Sequence, residues 1–355
     1  MLTSLSLKNF TVFHKADFDF GRNLNVVVGE NGAGKTHLLK AAYSGIAAVA
    51  SRPSESLGTK AQIQSAIAEK LIGVFRPDTL GRLVRRAPGR LKCDLQYSFQ
   101  RPQRDLRYSF SRLAKAEVSA SRIPTEAFPQ RPVYLPTREL LTIFPGFVSL
   151  YETTHLSFEE TWRDTCILLG APLARGPREA TIKRLLAPLE EAMAGKIILD
   201  RSGGFYLGTS SGRMEMHLVA EGLRKLATIA RLIATGALLE TGYLFWDEPE
   251  ASLNPKMVRT VAKTILQIAK NGVQVFLATH SLFLLRELQI LGQEREFKEL
   301  DTRCFGLHVQ QDGSVAVNQG PTIDDIGNIT ALDEELQQSD RYLDSEIERE
   351  LDGDP

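Results

Sequence analysis

Gly29-Glu30-Asn31-Gly32-Ala33-Gly34-Lys35-Thr36 fits the pattern G-x-x-x-x-G-K-[ST] at every fixed position. The residue types carry a chemistry. Glycines let successive backbone N–H groups turn inward around phosphate oxygens, first as a nest and then as a helix N-terminus. Lys35 can reach the β- and γ-phosphates of a nucleotide, and the Thr36 hydroxyl can ligate Mg2+. The flanks supply the context this pattern needs. Leu24-Asn25-Val26-Val27-Val28 is a short β-branched run that reads as a buried strand. His37-Leu38-Leu39-Lys40-Ala41-Ala42 opens a helical pattern. Strand, glycine loop and helix together predict a nucleotide site.

A second half of that site lies far along the chain. Tyr243-Leu244-Phe245-Trp246-Asp247-Glu248 sets four apolar residues before two carboxylates. An apolar strand ending in Asp delivers a carboxylate to the metal opposite the phosphate loop, which assigns Asp247 beside Thr36 as a Mg2+ ligand. Glu248 then stands where a general base orients and deprotonates the attacking water. Phe276-Leu277-Ala278-Thr279-His280-Ser281 repeats the design. Its strand ends at His280, placed to contact a γ-phosphate or the attacking water. A single acid or histidine at a strand end is commonly structural. The order of all three behind a complete phosphate loop favours catalysis by Glu248 and His280.

Composition sets the frame. The 355 residues suffice for one large domain or two ordinary ones. Hydrophobic content of 43% and charged content of 24% are those of a soluble globular protein. No stretch approaches the roughly 20 apolar residues of a membrane span, and the N-terminus lacks the basic start and apolar core of a signal peptide. Cys93, Cys166 and Cys304 are widely spaced, with neither metal-ligand spacing nor a disulfide framework. A reducing cytoplasm fits them. The zero net charge hides an asymmetry: residues 324–355 hold twelve acids and two bases, leaving 41 bases and 31 acids in the body. Such a basic body permits nucleic-acid contact without demonstrating it.

Taken in order, residues 2–7, 16–20 and 24–28 predict three strands before the loop, and the following helix is expected to run to about Val49. Ser51-Arg52-Pro53-Ser54-Glu55-Ser56 breaks the pattern. A helix is predicted over 61–75. Residues 76–115 are crowded with bases, and 91–100 with 105–111 predict a β-hairpin insert with a basic tip at Arg101-Pro102-Gln103. Tyr97, Phe99, Tyr108 and Phe110 suit cross-strand packing. This surface is either a solvated face or a contact for DNA, RNA or protein. A strand is expected near 131–135, a mostly helical insert over 156–194 broken at Gly170–Pro177 with a kink at Pro188, and a second hairpin over 196–218. A helix at 226–239, a strand at 243–246, a helix at 255–270 and a strand at 273–278 complete a parallel α/β sheet with an extra antiparallel layer. The acidic segment from Asp324 reads as a surface helix or partly disordered tail.

These motifs together resemble an ABC-type ATPase head of the RecF, SMC and OLD (overcoming lysogenization defect) group, over about residues 2–290. Leu5-Ser6-Leu7-Lys8-Asn9-Phe10 resembles the opening strand of RecF and SMC heads. Asp247-Glu248-Pro249-Glu250-Ala251-Ser252-Leu253-Asn254-Pro255 resembles the Walker B segment and D-loop of OLD-like ATPases, and Thr279-His280-Ser281 their switch histidine. The resemblance implies a P-loop NTPase fold: a parallel core sheet, an antiparallel β lobe and a helical subdomain. It divides the chain into 1–140, 141–195, 196–323 and the 324–355 tail. It implies ATP as the nucleotide and a homodimer, or a higher homo-oligomer, that sandwiches ATP between one loop and the signature segment of a second copy. That segment reads Val219-Ala220-Glu221-Gly222-Leu223, so Glu221 and Gly222 join the ATP contacts while Ala220 replaces the expected serine. Thr137 stands where the family's Q-loop glutamine would. Both departures imply slow or partner-stimulated hydrolysis.

Lys35 and Asp247 are 212 positions apart, with no sustained heptad repeat between them, which excludes the long coiled coil of SMC clamps. The 75 residues after His280 are too few for the Toprim nuclease of OLD proteins. The remaining resemblance is to stand-alone ATPases of bacterial anti-phage systems. It implies a regulator of a separate effector, a nuclease or toxin. A RecF-like DNA-repair ATPase is the alternative, and a soluble subunit of a transporter fits least.

Overall fold

The computed structural model describes residues 1–50, 58–128, 131–154, 156–328 and 330–352. The expected break at 51–56 lies outside the described residues. Strands β1 (Leu2–Phe10), β2 (Phe13–Asp19) and β3 (Leu24–Gly29) open the chain, followed by helices α1 (Lys35–Ala50) and α2 (Lys60–Phe75). Thr59 and Gln62 close a capping box at the start of α2. Next come β4 (Lys92–Phe99), β5 (Leu106–Ser111), β6 (Ser119–Arg122) and β7 (Val133–Leu135). Helices α3 (Phe144–Thr153), α4 (Glu160–Gly170) and α5 (Glu179–Met193) form the helical insert. Then β8 (Lys196–Leu199), β9 (Phe205–Thr209) and β10 (Gly212–Glu215) lead into α6 (Glu221–Ala234) and α7 (Ala237–Glu240). The chain ends with β11 (Tyr243–Asp247), α8 (Pro255–Lys270), β12 (Gln274–Thr279), α9 (Leu282–Gly292), β13 (Thr302–Val309), β14 (Val315–Gly320) and α10 (Thr330–Asp352).

The central sheet has the order β14-β13-β3-β12-β11-β7, parallel except for the β14 edge. Both of its faces are buried. Val26, Val28, Leu244, Trp246, Val275 and Leu277 point into one core, shared with α4 to α9 and the β8–β10 sheet. Val27, Phe245, Phe276, Ala278 and Phe305 point into the other, shared with α1, α2 and an antiparallel sheet of order β2-β1-β4-β5-β6. Double burial is why these strands read as continuous apolar runs rather than alternations.

Helix α1 is packed between the two sheets and is buried over nearly its whole length. Small residues permit this. A Cβ on Gly45 would meet the Tyr97 ring at 2.5 Å, and the Tyr97 hydroxyl donates to the Ala41 carbonyl at 2.8 Å. Buried polar side chains tie the layers together. The Gln274 side chain accepts from the Leu2 N–H and donates to the Leu2 and Gly21 carbonyls.

Several expectations are corrected. The 92–111 hairpin is no insert: β4 pairs with β1 and makes the middle of the antiparallel sheet. The predicted second hairpin is a three-stranded meander, β10-β9-β8. The helix expected at 226–239 begins at Glu221 and stops at Ala234, because Gly236 takes φ +80° before α7. Helix α5 runs through Pro188 unbroken. Helix α3, strands β13 and β14, and helix α9 were not anticipated as elements. Among the described residues no helix is long and apolar enough to cross a membrane.

Candidate nucleotide site

Register brings the separate motifs to one edge. Asp247 stands opposite Ala278, and Thr279 opposite Val28. The carboxyl ends of β3, β11 and β12 are therefore level, which is where open α/β sheets bind ligands. Beyond β3, Gly32 and Gly34 take φ of +84° and +97°. Leu38 donates to the Gly34 carbonyl at 2.9 Å and opens α1. The Lys35 ammonium donates to the carbonyls of Gly29 at 2.8 Å and Glu30 at 3.0 Å. Burial lowers its pKa, while Glu248, Asp247, Glu250 and Glu30 pull it back up.

The β1–β2 turn lies against this loop. A Cβ on Gly34 would sit 2.6 Å from Val12 Cγ2 and 2.8 Å from Phe13 Cζ. Gly34→Ala is therefore expected to destabilise the fold through both the clash and the positive φ, the latter costing about 1–3 kcal/mol. Thermal unfolding checks this, and a melting temperature equal to wild type would contradict it.

The Thr36 hydroxyl donates to Asp247 Oδ2 at 2.8 Å, and the buried Tyr134 hydroxyl lies 3.5 Å from the same oxygen. Asp247 Oδ1 is buried and lacks a hydrogen-bond partner. Burial raises the Asp247 pKa; the Thr36 hydrogen bond opposes this, Glu248 adds to it, and Lys40 and Lys35 oppose it. A hydroxyl and a carboxylate with an unpartnered buried oxygen are hard donors that fit Mg2+. Among the described residues no three His, Cys, Asp or Glu side chains form a metal cage. Mg2+ in phosphate-transferring sites is held by one or two carboxylates together with substrate phosphates.

Glu248 takes φ +47° immediately after β11, and its N–H donates to the Ala278 carbonyl at 2.9 Å. Its Oε1 lies 3.4 Å from His280 Nδ1, an ion-pair distance without hydrogen-bond geometry. The predicted base and switch histidine are thus neighbours. Three further residues join them that sequence reasoning did not place. Thr279 donates to Glu250 Oε1 at 2.6 Å and accepts from the Ser281 N–H at 3.0 Å. Burial raises the Glu250 pKa, opposed first by the Thr279 hydrogen bond. The Lys225 ammonium donates to the carbonyls of Glu248 at 2.6 Å and Ala251 at 3.2 Å. The Asp-Glu-Pro-Glu spacing was the one available signal for Glu250.

The signature residues are elsewhere. Ala220 caps α6 without a side-chain hydrogen bond, and Glu221 and Gly222 form its first turn. Gly222 packs on the Ser252 carbonyl, which a Cβ would approach to 2.7 Å. Among the described residues no hydrogen bond or ion pair joins Glu221 or Gly222 to residues 29–36. The basic region is also partly spent internally. Arg101 and Arg104 pair with Glu126, Arg107 with Asp94, and Arg112 with the Ala87 carbonyl. Tyr97 and Tyr108 stack at 5.9 Å but face the core, and Phe99 and Phe110 are buried too. None of these rings is available to stack on a base.

Residues 24–286 match the family model described as "AAA domain, putative AbiEii toxin, Type IV TA system". A stretch of 42 residues is 43% identical to the DNA replication and repair protein RecF of Geobacillus sp. (strain WCH70), covering 12% of this chain and 11% of that protein. The RecF of Francisella tularensis subsp. mediasiatica (strain FSC147) is also 43% identical over 42 residues, 12% of each chain. The match thus spans only about a ninth of these relatives' length. Among solved structures, an SMC head bound to the C-terminal winged-helix domain of ScpA is 14% identical, with a TM-score of 0.53, covering 90% of this chain and 97% of that one. That likeness is one of fold.

Proposed function

We propose, because this chain belongs to that AAA domain family and is an ABC-type ATPase head of the RecF/SMC group, that it binds and hydrolyses ATP as a switch controlling a separate effector. The convergence of Thr36, Asp247, Glu248 and His280 at the ends of β3, β11 and β12 carries this reading. Residues 29–34 surround the phosphates with backbone N–H groups, and Lys35 neutralises their charge. Thr36 and Asp247 would hold Mg2+, which would supply positive charge to offset that of the phosphates. Glu248 accepts a proton from water as its oxygen bonds to the γ-phosphorus and the bond to the bridging oxygen breaks, leaving ADP and phosphate. His280 sits beside Glu248 to orient that water.

The second half of the site is assigned to another copy. The N–H groups that open α6 are uncapped by a side chain. Leu218, just before them, is 72% exposed, and Phe283, just after the histidine, is 41% exposed. Both fit a homodimer that closes on ATP. The SMC head that shares this fold is seen bound to a domain of ScpA. A bound partner there supports a partner protein here, which we propose to be an effector, a nuclease or toxin acting in anti-phage defence. Sizing the purified chain with ATP and with ADP, alone and with the product of the neighbouring gene, tests this. ATP-dependent dimers that capture that product are expected. A monomer indifferent to nucleotide would overturn the switch.

One observation favours the RecF-like alternative. Arg82, Arg86, Arg90, Lys92 and Lys115 are exposed and make no ion pair among the described residues. If they bind duplex DNA, affinity falls with log[salt] at a slope of about −0.9 per phosphate neutralised. A flat salt dependence in a filter-binding titration would remove this reading.

A further inference from the structure

We infer that Lys225 is a positioning residue for Glu248, and that the first turn of α6 is a bracket holding both loops of the nucleotide site. The argument starts from the backbone. Glu248 is not glycine, yet it takes a left-handed φ of +47°, a conformation that persists only where the surroundings impose it. Two contacts impose it. The Glu248 N–H is fixed by the Ala278 carbonyl of β12 at 2.9 Å. The Glu248 carbonyl is fixed by the Lys225 ammonium at 2.6 Å, which also takes the Ala251 carbonyl at 3.2 Å. Lys225 is 5% exposed, so these are charge-assisted bonds in a site shielded from water. The ammonium thus sets the angle from which the Glu248 carboxylate leaves the chain.

The residue before Lys225 forms an ion pair with the opposite loop. Arg224 Nε lies 3.1 Å from Glu139 Oε1, and Glu139 is tied to the Leu141 N–H at 2.8 Å. Residues 136–139 carry Thr137, in place of the expected glutamine. Consecutive side chains of one helical turn therefore reach the loop after β7 and the loop after β11. Gly222 of the same turn rests on the Ser252 carbonyl. A phosphate captured at the start of α6 would pull on Glu248 of its own chain through Lys225. Nucleotide bound by one copy would then set the aim of the base in the other.

This inference rests on the reading of Glu248 as base. The test is Lys225→Met, which keeps the length and removes the charge, compared with Lys225→Arg in the full chain. ATP affinity is measured with a fluorescent analogue, turnover by phosphate release, and amide exchange at residues 248–253 by mass spectrometry. The expected result for Lys225→Met is affinity within about threefold of wild type, turnover down by about tenfold or more, and faster exchange at 248–253. Lys225→Arg is expected to recover part of the turnover. Where Lys225→Met does not fold, Lys225→Gln is measured against the same criteria. Wild-type turnover in either neutral variant, or a loss confined to ATP affinity, would overturn the positioning role. A wild-type chain that binds ATP through Lys35 and never turns it over would instead refute the proposed function.

Discussion

A Glu248→Gln chain is expected to hydrolyse ATP about 10²–10⁴-fold more slowly than wild type while binding it as tightly. Glutamine keeps the side chain's length and its contact with His280 Nδ1, now 3.4 Å from the carboxylate. It cannot accept the proton that water must lose. The backbone turn at Glu248 is untouched, since Lys225 and Ala278 hold main-chain atoms. Chemistry is therefore removed and binding is not. Dimers that form on ATP should accumulate, because the step that releases them is blocked. Phosphate release and analytical sizing in the same sample decide it. A turnover rate equal to wild type would remove Glu248 from the base role.

Lys35→Ala is expected to weaken ATP binding by about a hundredfold or more, equal to about 2.7 kcal/mol of lost affinity. Lys35 is 6% exposed and its ammonium bonds two loop carbonyls. Its removal takes away the one cation of the loop and loosens Gly29 and Glu30, so positioning and charge are lost together. Titration with a fluorescent ATP analogue checks this, and normal affinity would contradict the loop's assignment. The two variants separate from one another: Lys35→Ala should not dimerise on ATP, whereas Glu248→Gln should not come apart.

Most of the sheet was legible because burial on both faces writes itself into the chain as unbroken apolar runs, at 24–28, 243–246 and 273–278. The phosphate loop was legible because φ > 0 at Gly32 and Gly34 restricts residue choice. Strand β13 was not legible. It reads Thr-Arg-Cys-Phe-Gly-Leu-His-Val, and its Gly306 is required by the Ile326 carbonyl, which a Cβ would meet at 2.4 Å. That reason exists only once the chain is folded. Helix α3 was hidden by Pro145 and Gly146 near its start, with Gly146 at φ +78°. Lys225 and Tyr134 escaped for a different cause. They act on residues 23 and 113 positions away, contacts that only the folded chain brings about.

Helix α1, held between two sheets, has a mechanical consequence. Tyr97 of β4 packs on Gly45 and bonds the Ala41 carbonyl, so the antiparallel layer is joined directly to the helix carrying Lys35 and Thr36. Close-packed interiors transmit strain rather than absorb it. A load applied to the outer surface of β4 and β5, whether by a partner or by a polymer lying across it, has this contact as its direct path to the helix that carries the phosphate loop's Lys35. The layer works as a lever arm whose short end is the nucleotide.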